Sequence, residues 1–237
     1  MTQPSTNGGT PASSGRTPAQ GNRLDPWYDV YADRAHNLRA SEIRALFSVV
    51  SRPEVVSLAG GMPNLKDLPL DKLAASAEKL VRNHGAQAMQ YGSGQGWEVL
   101  RARITEVMSY DGIVGADPDD VVVTTGSQQA LDLVTELFVN PGDVILAEAP
   151  SYVGALGVFR ARQADIVHVP MDEHGIIPEA LEETIRDVRA SGRTIKFIYI
   201  IPNYHNPAGV TLSAERRPII AEICLREHVL IVEDNPY

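Results

Sequence analysis

Four short motifs in this sequence place polar or aromatic side chains beside turn-forming residues, each directly after an apolar run. They are TTGSQQALDL at 124–133, EAPSY at 148–152, IPNYHNPAG at 201–209 and EDNPY at 233–237. In the first motif, a glycine turn leads into Ser127 at a predicted helix start, where backbone N–H groups and a hydroxyl can bind an anion. A serine N-cap after a glycine turn is the alternative interpretation.

The other three motifs offer an aromatic ring, an amide and an acid. Tyr152 follows a strand and can stack on a planar ligand or pack into the core. Asn206, in an Asn-Pro turn, can bind a ligand oxygen or can serve the turn alone. Asp234 ends a buried strand, where a carboxylate is costly without a cationic partner. With the phenol of Tyr237, these groups suit a flat, phosphorylated heteroaromatic ring with a basic nitrogen, which describes pyridoxal 5'-phosphate (PLP).

Five short apolar runs supply the strands that would position these motifs, at 121–124, 144–147, 165–169, 195–201 and 229–232. Segments of helical length and periodicity lie between them, at 127–138, 151–162, 178–189 and 213–227. This alternation predicts an α/β fold with a mostly parallel sheet and helices on both faces. Ligands bind such sheets at the carboxyl ends of the strands, so the four motifs should meet there. Upstream, the pattern predicts helices at 41–50, 70–83 and 97–110.

The composition is that of a globular protein whose partners are small molecules. Of 237 residues, 43% are hydrophobic and 22% are charged, and the net charge of -9 disfavours nucleic acid and anionic membranes as partners. The single cysteine, Cys224, excludes an intramolecular disulfide, and the six histidines form no metal-binding motif. Residues 1–22 are predicted to be a disordered tail because they contain almost nothing apolar. Without a signal-peptide pattern or an apolar run of membrane-spanning length, a cytoplasmic location is expected.

These motifs, together with SLAGGMPN at 57–64 and YGSGQGWEVLRARI at 91–104, resemble the class I/II aminotransferases, the PLP-dependent enzymes of fold type I. They are most similar to the 2-aminoadipate and aromatic branch, over residues from about 38 to 237. The resemblance implies a PLP-binding large domain at 71–237, an N-terminal arm of the small domain at 23–70, and a homodimer. The implied reaction transfers an amino group from an L-amino acid of the 2-aminoadipate, aromatic or branched-chain type to a 2-oxo acid such as 2-oxoglutarate.

The resemblance also implies roles for individual residues. Those implied to contact the cofactor are Gly126, Ser127 and Gln128 at the phosphate, Tyr152 on the ring, Asn206 and Tyr237 at the 3'-oxygen, and Asp234 at the ring nitrogen. Asp234 and Tyr237 are the ones assigned to catalysis. Tyr91 would reach the cofactor phosphate of the neighbouring subunit. Near the substrate, Gly60 and Gly61 would pass close to the α-carboxylate, and Arg44 would meet a distal carboxylate unless it is a solvated helix arginine.

The family's essential lysine, which forms a Schiff base with the cofactor, has no match among Lys66, Lys72, Lys79 and Lys196. The sequence is therefore interpreted as ending before that lysine. The 237-residue polypeptide alone is expected to be inactive and prone to aggregation, with bare sheet edges and no neighbouring strand for residues 121–124. Two alternatives stay open: the aminotransferase-like half of a transcription regulator, and a PLP lyase on the same fold.

Overall fold

The computed structural model describes residues 25–37, 55, 65 and 67–236 of the chain. Outside these ranges lie the tail predicted at 1–22, the helix predicted at 41–50 and four predicted site residues, Arg44, Gly60, Gly61 and Tyr237. The chain divides into two units, Met1–Leu38 and Arg39–Tyr237. In the first unit, the described residues form two 3-10 helices, Tyr28–Val30 and Asp33–Asn37. The domain boundaries expected at residues 22 and 70 remain predictions.

The second unit contains a five-stranded sheet in the order β3-β2-β1-β4-β5. Its strands are β1 Val144–Ala149, β2 Asp165–Asp172, β3 Gly175–Ile176, β4 Ile195–Ile200 and β5 Leu230–Glu233. All pairings are parallel except that of β3, which runs antiparallel to β2. Four of the predicted strands and the mostly parallel sheet are therefore confirmed. Strand β3 was not predicted, because two residues are too few to give an alternating pattern.

Six α-helices accompany the sheet in the described part of the chain. They are α1 Leu70–Ala88, α2 Glu98–Tyr110, α3 Ser127–Phe138, α4 Val153–Ala161, α5 Pro178–Ala190 and α6 Arg216–Arg226. One face of the sheet packs against α5 and α6 through residues such as Val144, Leu146, Leu181 and Ile220. The other face packs against α3 and α4 through residues such as Ile145, Phe197, Leu131 and Phe159. Both faces are covered by helices, as the alternation of strands and helices predicted.

The run at 121–124 does not form the predicted strand. It follows a 3-10 helix, Pro118–Asp120, and Val121 has extended dihedral angles, with φ -95° and ψ 128°. The sheet nevertheless includes none of the four residues, and the Val123 N–H donates to the Gln95 carbonyl at 2.8 Å. A strand requires a neighbouring strand for its hydrogen bonds, and no described strand lies beside this run.

In the described part of the chain, no helix is both long enough and apolar enough to cross a membrane.

Candidate cofactor site at the carboxyl edge of the sheet

The carboxyl ends of β1, β4 and β5 lie side by side. Across these strands, Ala147 pairs with Tyr199 and Tyr199 pairs with Val232, while Ile200 pairs with Glu233. The three loops that follow carry Tyr152, Asn206 and Asp234, respectively. Parallel pairing thus brings three of the predicted site residues to one edge of the sheet.

Helix α3 begins without a side-chain cap. Its N-cap is Gly126, with φ 88° and ψ 163°, a conformation that side-chain-bearing residues rarely adopt. The preceding turn is held by Thr125, whose N–H and hydroxyl both donate to Gln129 Oε1, at 2.7 and 2.8 Å. Ser127 and Gln128 are exposed. An uncapped helix start with exposed hydroxyl and amide groups can bind an anion, which is the role predicted for this motif.

The start of α3 is joined to the start of α4. Gln128 Nε2 donates to the Gly154 carbonyl at 3.4 Å, a long hydrogen bond. Tyr152, the N-cap residue of α4, is half-buried and packs against the core on the α3 and α4 face. Its ring lies against the first turn of α4, where a Cβ on Gly154 would come within 2.4 Å of Tyr152 Cζ. Glycine at 154 therefore leaves the space that the Tyr152 ring occupies.

Asp234 is fixed by a residue that the sequence analysis did not identify, Tyr199. The Tyr199 hydroxyl donates to Asp234 Oδ2 at 2.6 Å, and the Asp234 N–H donates to the Ile200 carbonyl at 2.9 Å. Tyr199 is fully buried. Burial, and then the hydrogen bond to Asp234, raise the pKa of the Tyr199 phenol well above its usual value. The phenol therefore stays protonated and remains a donor to the half-buried carboxylate.

The loop from β4 to α6 carries Asn206, whose side chain is half-buried. This loop is tied to the end of β5, because Asn203 Nδ2 donates to Asn235 Oδ1 at 2.8 Å. Arg217 in α6 donates in turn to Asn203 Oδ1 at 2.7 Å. The segments that follow β4 and β5 are therefore held together by side-chain hydrogen bonds at the same edge.

Two further buried polar residues at this edge, Glu148 and His205, were not identified as site residues from the sequence. Their side chains are 1% exposed, and His205 Nε2 lies 3.0 Å from Glu148 Oε2. A signal was available, because Glu148 is an acid within an apolar strand, the same feature that drew attention to Asp234. His205 carried no comparable signal, since it lies in a loop whose burial the sequence does not reveal.

Tyr91 lies in the segment between α1 and α2, outside the segments that carry Tyr152, Asn206 and Asp234. It follows α1, its side chain is 100% exposed, and it borders a cleft of about 820 Å³ formed by α1, α2 and the loop between them. No residue lining this cleft comes from the strand ends that carry Tyr152, Asn206 and Asp234. In the described part of the chain, Tyr91 therefore does not share this cleft with those three residues.

None of the described lysines lies in a segment that follows the carboxyl end of β1, β4 or β5. Lys72 and Lys79 are exposed residues of α1. Lys196 is the second residue of β4, and its Nζ lies 3.3 Å from Asp143 Oδ2, at the amino end of the strands. Lys66 lies outside the described residues.

This chain is similar to known proteins in both sequence and fold. The family model for aminotransferase class I and II matches residues 53–237. The chain is 38% identical over 207 residues to aromatic-amino-acid aminotransferase 1 of Thermococcus litoralis, covering 87% of this chain and 50% of that protein. It is 35% identical over 211 residues to 2-aminoadipate transaminase of Thermus thermophilus, covering 89% and 50%. Its fold matches the crystal structure of Pyrococcus horikoshii kynurenine aminotransferase in complex with PMP, with a TM-score of 0.82, 34% identity, and coverage of 91% and 53%.

The chain spans about half the length of the curated relatives that it matches. The family model covers nearly all of the described residues, including the four sequence motifs. This chain belongs to the family of class I and II aminotransferases.

Proposed function

We propose that this chain provides the PLP-binding part of an aminotransferase. The observation that carries the proposal is the Asp234 carboxylate, held by a buried tyrosine at the carboxyl edge of the sheet. An acid fixed in this way can accept a hydrogen bond from the protonated ring nitrogen of PLP. The P. horikoshii relative, whose structure contains PMP, supports the same cofactor.

The residues at the start of α3 fit a phosphate group. The helix start has no side-chain cap. Apart from Gly126 and its two chain neighbours, no atom of the described residues lies within 4 Å of the point where a Cβ on Gly126 would stand. Backbone N–H groups at Ser127 and Gln128, together with their side chains, would bind the phosphate there. The helix dipole adds about 0.3–1 kcal/mol to the binding of an anion at such a site.

The remaining residues fit the ring of the cofactor. Tyr152 would cover one face of the ring and exclude water from it. Asn206 would donate from its amide to the 3'-oxygen, and Tyr237, which lies outside the described residues, would donate to the same atom. Asp234 would contact the ring nitrogen. The chemistry of the donor set thus matches that of PLP: N–H groups for a phosphate, donors for a phenolic oxygen, and an acid for a basic nitrogen.

Asp234 would act by holding a proton on the ring nitrogen. An adjacent carboxylate raises the pKa of such a group by ~1–3 units, which corresponds to about 1.4–4 kcal/mol in favour of the protonated form. Bound PLP supplies an acceptor for the electrons that remain when a substrate loses its Cα proton, and protonation of the ring strengthens that acceptor. The Tyr199 hydroxyl would keep the Asp234 carboxylate oriented throughout.

The proposed substrates are an L-amino acid of the 2-aminoadipate, aromatic or branched-chain type and a 2-oxo acid such as 2-oxoglutarate. The names of the two curated relatives, an aromatic-amino-acid aminotransferase and a 2-aminoadipate transaminase, support the first two types. Gly60, Gly61 and Arg44, which lie outside the described residues, are the proposed substrate contacts. Arg44 would meet a distal carboxylate in the case of 2-aminoadipate.

The proposed assembly is a cytoplasmic homodimer. Two features support a second subunit: the fully exposed ring of Tyr91, and the exposed apolar residues of α1, which include Leu73 and Val81. In a homodimer, Tyr91 would reach the cofactor phosphate of the neighbouring subunit. The cytoplasmic location is supported by the single cysteine, which fits a reducing compartment.

An assay of amino transfer tests the proposed function. The full-length protein is the aminotransferase of which this chain would provide the PLP-binding part. With PLP, it should form glutamate from 2-oxoglutarate when given L-2-aminoadipate, L-phenylalanine or L-leucine. Asp234→Ala should lower kcat about 100-fold to 1,000-fold, because the ring nitrogen would lose the carboxylate that keeps it protonated and the ring would accept electrons less well. Glu233→Ala, which removes an exposed carboxylate from the neighbouring position, is the matched control and should leave kcat unchanged. Release of ammonia without glutamate would instead indicate a lyase, and normal turnover by Asp234→Ala would reject the assignment.

A further inference from the structure

The proposed function leaves one buried ionisable pair without a role. Glu148 lies near the end of β1, His205 lies in the loop after β4, and both side chains are 1% exposed. A buried carboxylate is costly unless nearby groups compensate for its lost hydration. His205 directly precedes Asn206, the proposed donor to the cofactor 3'-oxygen.

Two groups from the loop after β4 converge on one oxygen of Glu148. The Ile201 N–H donates to Glu148 Oε2 at 2.7 Å, and His205 Nε2 lies 3.0 Å from the same atom. The His205 contact has the distance of a hydrogen bond but not its alignment, so it is a polar contact rather than a formed hydrogen bond. The carboxylate thus holds the loop at its first residue and again four residues later.

His205 also organises the turn that contains Asn206. Its N–H donates to the Val210 carbonyl at 2.7 Å, and its Nδ1 accepts from the Ala208 N–H at 3.3 Å. Because Nδ1 accepts, the ring proton of the neutral imidazole lies on Nε2, the atom that faces Glu148. The His205 ring therefore connects the Asn206 turn to the end of β1.

We propose that Glu148 and His205 are positioning residues, which hold the Asn206 turn against β1 so that the Asn206 amide meets the 3'-oxygen of bound PLP. The inference rests on the proposed function. Neither residue is required to touch the cofactor. Because β1 continues from Glu148 into the segment that ends at Tyr152, the same carboxylate links the segment that covers the ring with the segment that binds its oxygen.

A double-mutant cycle on PLP binding tests this inference. Dissociation constants would be measured by absorbance titration for the full-length protein, for Asn206→Ala, for His205→Leu and for the double variant. Asn206→Ala should weaken binding about threefold to tenfold, the effect of one lost hydrogen bond. His205→Leu should weaken it by a similar factor. The double variant should bind no more weakly than Asn206→Ala, because both changes remove the same contact.

A structural role without positioning would give a different pattern. His205→Leu would then lower the Tm of the cofactor-free protein and leave PLP binding unchanged, or its effect would multiply with that of Asn206→Ala, and either result overturns the proposal. His205→Gln, whose amide carries a donor and an acceptor, should restore binding to within about twofold. His168→Leu is the matched control. His168 Nδ1 contacts the backbone oxygen of Glu148 at 3.2 Å from β2, so its loss should leave PLP binding unchanged.

Glu148→Met provides a second test at similar side-chain volume, which stands if His205→Leu fails to fold. It removes the oxygen that accepts from the Ile201 N–H and faces His205 Nε2, so PLP binding should weaken about as much as in Asn206→Ala, and unchanged binding overturns the proposal. Failure of the proposed function would give a different result from failure of the positioning inference alone. If the proposed function is wrong, the unaltered protein binds no PLP, and both proposals are rejected. If only the positioning inference is wrong, the unaltered protein binds PLP and Asn206→Ala still weakens that binding.

Discussion

Two regions of this chain, whose strands and helices were both predicted from the sequence, differ in how far their apolar side chains are buried. In the sheet region, residues 127–233, the side chains of β1 from Val144 to Ala147 are fully buried between helices. In the helical region, residues 70–110, Arg101 is the one residue that is buried among those described, while Leu73 is 65% exposed and Met89 is 75% exposed. Amphipathic periodicity therefore predicts that a helix forms, but it does not reveal what covers the apolar face of that helix.

The same contrast applies to the proposed site. At the carboxyl edge of the sheet region, Asp234 and the Asn206 turn are held by contacts within the chain, with Tyr199 and with Glu148 and His205. Tyr91 in the helical region has a fully exposed side chain. Residues of the sheet region would therefore orient the cofactor, whereas the position of Tyr91 would depend on the proposed homodimer.

The largest difference between the two regions should appear in core substitutions. Phe159→Ala should lower the free energy of unfolding by about 3–5 kcal/mol, because Phe159 is fully buried and a cavity would remain. Its ring meets Phe197 and Tyr199 edge-on, with centroids 5.7 and 5.4 Å away. Val107→Ala, at a 59% exposed position of α2, should change it by less than about 0.5 kcal/mol. Urea denaturation measures both, and comparable losses would show that the helical region is buried against a partner.

Removal of the Tyr199 hydroxyl should have an intermediate effect. Tyr199→Phe leaves the half-buried Asp234 carboxylate without a donor at 2.6 Å, which should cost about 1.5–3 kcal/mol, the range for a hydrogen bond to a charged group. PLP binding should weaken as well, because the carboxylate would lose its fixed orientation. Tyr110→Phe, at a 78% exposed position of α2, is the control for loss of a phenol. Equal stability and equal PLP affinity in the two variants would contradict the role assigned to Tyr199.

A smaller, pH-dependent effect is expected at Asp172 in β2. Arg216 binds this carboxylate at 2.5 and 2.8 Å. That hydrogen bonding, with the His174 N–H, lowers the pKa of Asp172 from 3.8 to about 2. A lowered pKa in the folded state stabilises the protein above the unfolded value, and the contribution is lost as the pH falls through the folded value.

Asp172→Asn should therefore be less stable than the unaltered protein at pH 7, and the difference should disappear as the pH falls from about 4 to 2. Thermal unfolding at several pH values measures this. The control is Glu78→Gln, which breaks an exposed i,i+4 pair with Arg82 on α1 and should have little effect at any pH. A stability difference for Asp172→Asn that is constant from pH 7 to 2 would exclude the ion pair as its cause.

The sequence predicted those parts of the fold that depend on local patterns. Apolar runs and helical periodicity were sufficient for β1, β2, β4 and β5 and for the helices on both faces of the sheet. The run at 121–124 was predicted incorrectly, because its apolar residues satisfy the pattern of a strand although no described strand pairs with them. The local pattern contains no information about a neighbouring strand, and its absence was expected only from the resemblance to the aminotransferases.

Site residues that belong to the sequence motifs could be predicted. Residues that contact the site but lie far from the motif residues in sequence were missed. Tyr152, Asn206 and Asp234 lie in the segments that follow β1, β4 and β5, and parallel pairing brings these three to one edge, while Ser127 begins α3. Tyr199 lies 35 residues from Asp234 in sequence, and Glu148 lies 53 residues from Ile201. Such contacts depend on the pairing of β1, β4 and β5, which sequence spacing alone does not specify.

The proposed role of Asp234 can be measured from the protonation state of the cofactor ring. PLP labelled with ¹⁵N at the ring nitrogen would be bound to the full-length protein and to Asp234→Ala, and the ¹⁵N chemical shift would be compared near pH 7.5. We expect a protonated ring nitrogen in the unaltered protein and an unprotonated one in Asp234→Ala, because the carboxylate holds that proton. The same chemical shift in both proteins would contradict the assignment of Asp234 and, with it, the proposed site.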